Sequence, residues 1–276
     1  MVGKRQVALN AAQSQEIAMA LEKSDAIVLK VVPWSESSCI ATLWTDHFGK
    51  ISVLAKGARR PKSPFESAID LLAICRIVFL RKSADSLDLL TEAKLERRFR
   101  AGQKSLLALY CGFYVVELLA TLTEEGVPID GVYRKTVDVL EALDNQQTPF
   151  PWVACYELQL FGKLGHQPSF DRCVQCDLPR SQTESTDSVR SPPLLGISSG
   201  GYLCRSCAAG HRQVVAVDPK TIDWLVQASQ PDCDPSALNV PEKTVKQEIR
   251  GFLAAYTKTL VGRTLRVIDF LDDLGR

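Results

Sequence analysis

Two pairs of cysteines are the residues whose type and spacing most directly indicate chemistry. Two residues separate the members of each pair, Cys173 and Cys176 in DRCVQCD and Cys204 and Cys207 in GGYLCRSCA. A Cys-x2-Cys turn directs two thiolates to one side of the backbone, and two such turns supply the four ligands of a tetrahedral zinc site. Four protein ligands leave no position for a substrate, so the pattern predicts one structural zinc ion per chain.

Other interpretations of the cysteines are weaker. Redox chemistry by one pair would be typical of a thioredoxin-like βαβ pattern, which surrounds neither pair. His166 and His211 lie near the pairs and could replace a ligand, but four thiolates already suffice. We expect the remaining cysteines to be small apolar core residues. They are Cys39, Cys75, Cys111, Cys155 and Cys233.

A cluster of cations follows an alternating apolar stretch in GKISVLAKGARRPKS, residues 49–63. Its members are Lys56, Arg59, Arg60 and Lys62. The net charge of the chain is only +1, but residues 25–100 carry 13 Lys and Arg against 9 Asp and Glu. Binding of a polyanion responds to this local potential, so the cluster predicts phosphate binding. A solvated loop that keeps the edge of a sheet soluble is the alternative.

Aromatic residues near the cations indicate stacking of nucleic-acid bases. Trp34 and Phe48 lie in predicted turns and are the best candidates, whereas Trp44 is expected in the core. A second basic cluster around Arg97 and Arg98 could extend the surface or simply begin a helix. The predicted DNA-binding residues are Lys56, Arg59, Arg60, Lys62, Trp34, Phe48, Arg97 and Arg98.

Motifs of enzymes that act on nucleic acids or nucleotides are absent from the sequence. No His-x-Glu accompanies the cysteines, as zinc deaminases require, and there is no G-x-x-x-x-G-K-[ST] phosphate loop. No acidic cluster resembles a two-metal nuclease. We therefore expect a binding protein that is not an enzyme.

The secondary structure that must position these residues changes from predicted strands to predicted helices near residue 100. Before it, the apolar period is two and predicts five short strands, at 26–32, 37–45, 50–56, 72–81 and 87–96. This count, with the longest gap after the third strand, fits a small OB-type β-barrel, although an SH3-like barrel would have a similar pattern. After it, the period becomes helical and predicts helices at 102–122, 130–144, 150–164, 218–229 and 242–261.

The predicted fold is therefore an α+β multidomain chain with three parts. Residues 1–24 are expected to form a flexible extension, and a start of translation at Met19 instead of Met1 is a hypothesis that the sequence leaves open. Residues 25–100 form the OB-fold DNA-binding domain. Residues 101–276 form an all-α domain with the zinc-ribbon-like motif inserted at about 170–212, where 180–193 is a flexible loop and 194–204 a hairpin around Gly200-Gly201.

The odd number of nine cysteines and the lack of an apolar stretch of about 20 residues favour a cytoplasmic protein.

The sequence resembles the RecO family of bacterial recombination mediators over about residues 25–276. The resemblance is carried by GARRPKS after the third predicted strand and by the two cysteine motifs, and more loosely by GRTLRVIDFL near the end. The 180–193 insertion and the N-terminal extension depart from the family pattern.

This resemblance implies a DNA repair and recombination mediator, associated with the nucleoid. Members bind single- and double-stranded DNA and anneal complementary strands coated with single-strand-binding protein. They act with RecR to load RecA, and they contact the acidic, apolar C-terminal tail of single-strand-binding protein, generally through the helical domain. The alternative from another class is a zinc-ribbon scaffold that recruits proteins without binding DNA.

Overall fold

The first strand begins earlier than the sequence pattern predicts. The computed structural model describes residues 20–63, 65, 68–82, 86–183 and 192–274. Residues 20–24, expected in a flexible extension, pair with a later strand from Ala20 onward, so the predicted boundary at residue 25 is corrected. The rest of that extension, residues 1–19, lies outside the described residues.

Five strands form the N-terminal sheet, and each predicted strand is confirmed. They are β1 (Ala20–Pro33), β2 (Cys39–Thr45), β3 (Gly49–Ala55), β4 (Ile74–Arg81) and β5 (Asp88–Arg97). The sheet closes into a barrel in the order β1-β2-β3-β5-β4, and β4 pairs back with β1. Only β3 and β5 run parallel. This order places the end of β1, the start of β2 and the end of β3 at one end of the barrel.

Alternating side chains fill the barrel, as their period predicts. Val28, Leu43, Val53 and Phe79 are among the buried residues of this core. Trp44 is also buried, as expected, but its ring belongs to a second core, which the outer face of the barrel shares with the helices. The barrel is therefore apolar on the inside and on an outer patch that the helices cover.

The helical region contains the five long helices that the periodicity predicts. These are α1 (Leu106–Leu122), α2 (Val132–Asp144), α3 (Pro149–Lys163), α6 (Pro219–Ala228) and α7 (Lys243–Val261), with the short α4 (Arg180–Thr183), α5 (Arg205–Ala208) and α8 (Ile268–Leu274). The Ser105 side chain caps α1 by accepting a hydrogen bond from the Ala108 N–H at 3.1 Å. Within the described residues, no helix is both long and apolar enough to cross a membrane.

Two apolar cores hold the helices together. One joins α1 and α2 to the barrel through residues such as Ile27 and Trp44. The other joins α3, α6 and α7, where Ile249 and Phe252 lie on the stripe that the sequence predicts for α7. Lys50 strengthens the first junction because its ammonium donates hydrogen bonds to the carbonyl oxygens of Ala120 and Thr123 at the end of α1.

A small three-stranded sheet carries the cysteine motif between α3 and α6. Its strands are β6 (Leu194–Gly196), β7 (Gly201–Leu203) and β8 (Val214–Ala216), in the order β7-β6-β8. The antiparallel pairing of β6 with β7 confirms the predicted hairpin. β8 was not predicted, because a three-residue strand is too short to show a period. Of the loop predicted at 180–193, residues 180–183 form α4 and residues 184–191 lie outside the described residues.

Candidate DNA interface, metal centre and helical pocket

The basic cluster after β3 presents its cations to solvent. Lys56, Arg59, Arg60 and Lys62 are all exposed. In the described ranges, no carboxylate lies within ion-pair distance of any of the four. The side chains therefore retain their positive potential at the surface, as a phosphate-binding surface requires.

Hydrogen bonds of the main chain and of side chains attach this basic segment to the turn between β1 and β2. The Arg59 N–H donates to the Ser37 carbonyl at 3.0 Å, and the Arg59 guanidinium donates from Nη1 to the Ser35 carbonyl at 3.0 Å. The Gly57 N–H donates to the Ser38 hydroxyl at 3.4 Å. The same turn carries Trp34, whose side chain is 64% exposed. An accessible indole and the four cations thus lie at one end of the barrel.

Phe48 lies at the opposite end, in the turn between β2 and β3. Its half-buried ring packs edge-on against Phe79, with 5.4 Å between ring centroids. The Arg81 guanidinium lies over the same ring at 5.5 Å. Because β3 separates the two turns and the ring already has partners, Phe48 is not part of the surface that contains Trp34.

Arg97 and Arg98 also lie apart from that surface. Arg97 forms ion pairs with two carboxylates of α2, at 2.8 Å to Glu141 and 3.4 Å to Asp144. Asp144 also accepts a hydrogen bond from the Arg100 N–H at 2.6 Å. Arg98 lies 3.7 Å from Asp70. These carboxylates offset part of the charge, and Arg97 connects the barrel to α2. Phosphate binding by Arg97 and Arg98 stays a prediction.

The four predicted ligand cysteines converge. The sulfur atoms of Cys173, Cys176, Cys204 and Cys207 all lie within 4.8 Å of one another, and Cys176 Sγ is 3.9 Å from Cys204 Sγ. A metal–sulfur distance of about 2.3 Å in a tetrahedron separates ligand sulfurs by about 3.8 Å. The cluster can therefore hold a metal ion with four thiolate ligands.

The two cysteine turns are joined through the backbone of the small sheet. The Val174 N–H donates to the Tyr202 carbonyl at 2.9 Å, and the Tyr202 N–H donates to the Ser169 carbonyl at 2.8 Å. Only glycine fits at position 201, where φ is 151°, because an added Cβ would overlap the Ser169 carbonyl oxygen. The hairpin thus determines how closely the two pairs of thiols approach.

Hydrogen bonds favour the thiolate form at part of this cluster. The Ser206 hydroxyl, 3.1 Å from Cys204 Sγ, is the main cause that lowers the pKa of the Cys204 thiol to about 6. Burial raises the pKa of Cys173, but N–H groups including that of Cys204 outweigh it and lower the pKa. Such thiolates are the form that binds a metal.

The histidines and remaining cysteines lie outside the cluster. His211 Nδ1 is 2.9 Å from the Ser199 hydroxyl, and the His166 carbonyl accepts a hydrogen bond from Tyr256 at 2.9 Å. Neither histidine is part of the group of converging ligands. Of the five cysteines expected in the core, Cys233 alone is only half-buried, and the others are buried.

Sequence reasoning missed an apolar pocket between α1, α3, α7 and α8. It is a cavity of about 170 Å³ lined mainly by side chains such as Leu107, Phe150 and Leu253. Two cations of α7 line it as well: the Lys246 ammonium is 5.5 Å from the centroid of the Phe150 ring, and Arg250 donates to the Leu271 carbonyl at 3.1 Å. Only the i, i+4 spacing of these cations beside an apolar stripe could have indicated it.

One acidic residue, Glu157 of α3, also lines the pocket. Its side chain is buried, at 5% relative exposure. Burial is the main cause that raises the pKa of this carboxyl to about 8, while a hydrogen bond from Tyr114 and the charge of Arg250 act in the opposite direction. The group therefore retains its proton at neutral pH.

Comparisons with known proteins agree with both halves of the chain. Residues 19–99 match the family model described as Recombination protein O N terminal, and residues 103–267 match Recombination protein O C terminal. DNA repair protein RecO of Rhodopirellula baltica is 35% identical over 272 residues, which cover 90% of this chain and 98% of that protein. DNA repair protein RecO of Exiguobacterium sibiricum is 27% identical over 258 residues, covering 92% and 99%. The chain therefore belongs to the RecO family of DNA repair and recombination proteins.

Proposed function

We propose that the chain binds DNA through the end of its barrel that carries Trp34, Lys56, Arg59, Arg60 and Lys62. The observation that carries the proposal is that these cations are exposed without carboxylate partners in the described residues, beside an exposed indole. The strand order 1-2-3-5-4 with β3 parallel to β5 supports an OB-type barrel, whose loops and faces bind single strands in many proteins.

This surface supports strand annealing without bond chemistry. Lysine and arginine neutralise phosphates and release counterions, so binding should weaken steeply with salt and depend little on base sequence. Two complementary strands near one basic surface repel each other less, because the cations compensate part of their charge. Pairing then follows from the strands themselves. Neither step requires a catalytic group, and we propose that the protein is not an enzyme.

The helical pocket is the proposed site for the C-terminal tail of single-strand-binding protein. An apolar cavity of about 170 Å³ compares with the ~150 Å³ cavity that accepts benzene, so one aromatic or branched side chain fits. Lys246 and Arg250 supply positive charge for the acidic part of such a tail. Binding there would bring the barrel to strands that single-strand-binding protein coats, where the protein would act with RecR to load RecA.

We propose zinc as the ion of the four-cysteine cluster, in a structural role and at one per chain. Four thiolates favour zinc among the common divalent ions. All four protein ligands are present, so no position is left for a substrate. The ion would connect the β6–β7 hairpin to the segment that follows α3. As a DNA-binding protein with free thiols, the chain is expected in the cytoplasm, in association with the nucleoid.

The salt dependence of DNA binding tests this proposal. The variant Arg60→Gln/Lys62→Gln should reduce affinity for labelled single-stranded oligonucleotides of any sequence. It should also reduce the slope of log K against log salt by about 1.4, at ~0.7 per phosphate contact. Arg59 is left intact because it also holds the β1–β2 turn.

The matched control, Lys243→Gln/Lys258→Gln, removes the same charge from exposed positions of α7. It should retain the wild-type slope. An unchanged slope in the barrel variant contradicts the proposed surface. No measurable affinity of the wild-type protein at low salt would instead favour the scaffold that only recruits proteins.

A further inference from the structure

Glu157 is an acidic group in a pocket whose other described lining residues are apolar, basic or neutral polar. Its Oε2 atom is buried and has no hydrogen-bond partner among the described residues. The carboxyl lies on α3, in the pocket wall that also contains Val153 and Ala154. An ionised carboxylate with so few partners is costly to bury in such surroundings, and the protonated form costs much less.

The groups that face Glu157 compensate a negative charge there only in part, since the effect of burial outweighs the hydrogen bond from Tyr114 and the charge of Arg250. From α1, Cys111 and Tyr114 reach the pocket, and the Tyr114 hydroxyl contacts the carboxyl. From α7, Lys246 and Arg250 line the pocket, but Lys246 lies over the Phe150 ring and Arg250 donates to the Leu271 carbonyl. The α8 residues in the wall, Ile268 and Leu271, are apolar.

We propose that this pocket accepts an anionic apolar ligand only while Glu157 is protonated, so that ligand binding and retention of this proton are coupled. The identity of the ligand as the tail of single-strand-binding protein rests on the proposed function. The electrostatic coupling does not, because it requires only an anion beside an ionisable carboxyl in a medium of low dielectric constant.

The direction of the coupling follows from linkage. Burial raises the pKa of Glu157 to about 8, so the carboxyl is neutral at pH 7 and ionised at pH 9. A bound anion opposes this ionisation and raises the pKa further. Ligand affinity should therefore be constant below pH 7 and fall by about tenfold between pH 7 and pH 9.

The test measures binding of a rhodamine-labelled peptide, the last ten residues of the cognate single-strand-binding protein, to the full-length chain at constant ionic strength. Wild-type affinity should fall about tenfold from pH 7 to pH 9, and Glu157→Gln, which cannot ionise, should have the same affinity at both values. Lys258→Gln, an exposed change elsewhere on α7, should retain the wild-type decline. Equal wild-type affinity at both pH values, or the same decline in Glu157→Gln, overturns the proposal.

A second pair of probes separates this inference from the identity of the ligand. If Ala254→Phe, which fills the pocket, leaves peptide binding intact, the tail binds elsewhere and the proposed placement fails. The coupling is then tested by ¹⁹F NMR with 4-fluorophenylacetate and the uncharged 2-(4-fluorophenyl)ethanol. The anion should lose affinity above pH 8 and the alcohol should not. The same pH dependence for both probes, or binding of neither, overturns the inference.

Discussion

The partners of single side chains divide the cations of the barrel into two groups. Arg60 and Lys62 project into solvent without a carboxylate nearby in the described chain, whereas Arg97 pairs with Glu141 and Asp144 of α2. Both groups look alike in the sequence, as short basic runs next to strands. Because two carboxylates already pair with the Arg97 guanidinium, we expect it to gain less from a phosphate than Arg60 and Lys62 do.

At the cysteines, we expect one equivalent of zinc in the wild-type protein, measured by mass spectrometry of the metal after exchange into metal-free buffer. Cys173→Ser or Cys204→Ser removes a thiolate ligand and should reduce the zinc content to well below one equivalent. Cys233→Ser changes a half-buried thiol outside the cluster and should retain the full equivalent. A wild-type protein with far less than one equivalent, purified under reducing conditions, would contradict a structural zinc site.

At Glu157, the raised pKa predicts a pH dependence of stability. Between the ordinary pKa of 4.5 and the folded pKa of about 8, the folded chain holds a proton that the unfolded chain has lost. The free energy of unfolding should therefore fall through this group by about 1.4 kcal/mol per pH unit and level off above pH 8. In urea unfolding, the stability of Glu157→Gln relative to wild type should rise from pH 5 to pH 8. A difference that is constant with pH would contradict the assignment.

At the scale of elements, a few glycines decide which parts of the chain can touch. Gly201 allows β7 to lie against Ser169, and Gly49 allows the β2–β3 turn to lie against Val127. Both have a positive φ, and in both cases an added Cβ would overlap a backbone carbonyl. The contact at Gly201 holds the small sheet that carries the four cysteines to the segment after α3. The contact at Gly49 connects the barrel to the segment after α1.

A pair of glycine substitutions tests this view of the hairpin. Gly201→Ala should destabilise the chain by at least about 2 kcal/mol and reduce its zinc content, because β7 must move away from Ser169. Gly251→Ala, in the interior of α7 with no atom within 4 Å of the added Cβ, should stabilise it by about 1 kcal/mol. Thermal unfolding and metal analysis measure both effects. Equal effects of the two substitutions would show that the close approach at Gly201 is unimportant.

At the scale of the whole molecule, the barrel and the helices share one apolar core, so the two proposed surfaces belong to one connected structure. Ile27, Leu29 and Trp44 of the barrel are buried together with Leu118 and Leu140 of the helices. The basic surface lies on the barrel, and the apolar pocket lies among α1, α3, α7 and α8. Because the two surfaces are separate, the barrel could bind DNA strands while the helical pocket binds a protein partner, as proposed above.

Annealing assays distinguish the two surfaces. Arg60→Gln/Lys62→Gln should slow annealing of both bare and protein-coated complementary oligonucleotides. Lys246→Gln should slow annealing of coated strands alone, by about tenfold if the contact contributes about 1.4 kcal/mol to binding. Fluorescence quenching between labelled strands measures the rates. A variant of the pocket that slows bare strands equally would contradict separate roles for the two surfaces.

Local patterns in the sequence determined a large part of this protein. The spacing of Cys173, Cys176, Cys204 and Cys207 indicated the ligand set, and apolar periods of two and 3.6 residues indicated the barrel strands and the long helices. Each depends on residues close together in the chain, where steric preferences and the alternation of faces act directly. The exposed position of Arg60 and Lys62 follows in the same way, from a Gly- and Pro-containing segment after a strand.

Only the tertiary structure decided which side chains far apart in the sequence meet. It paired Arg97 with Asp144, moved Phe48 to the opposite end of the barrel from Trp34, and placed Glu157 in one pocket with Lys246 and Arg250. These contacts depend on strand order and helix packing, which no short window of sequence contains. Burial, and with it the raised pKa of Glu157, arises only when α1, α3 and α7 exclude water from the same carboxyl.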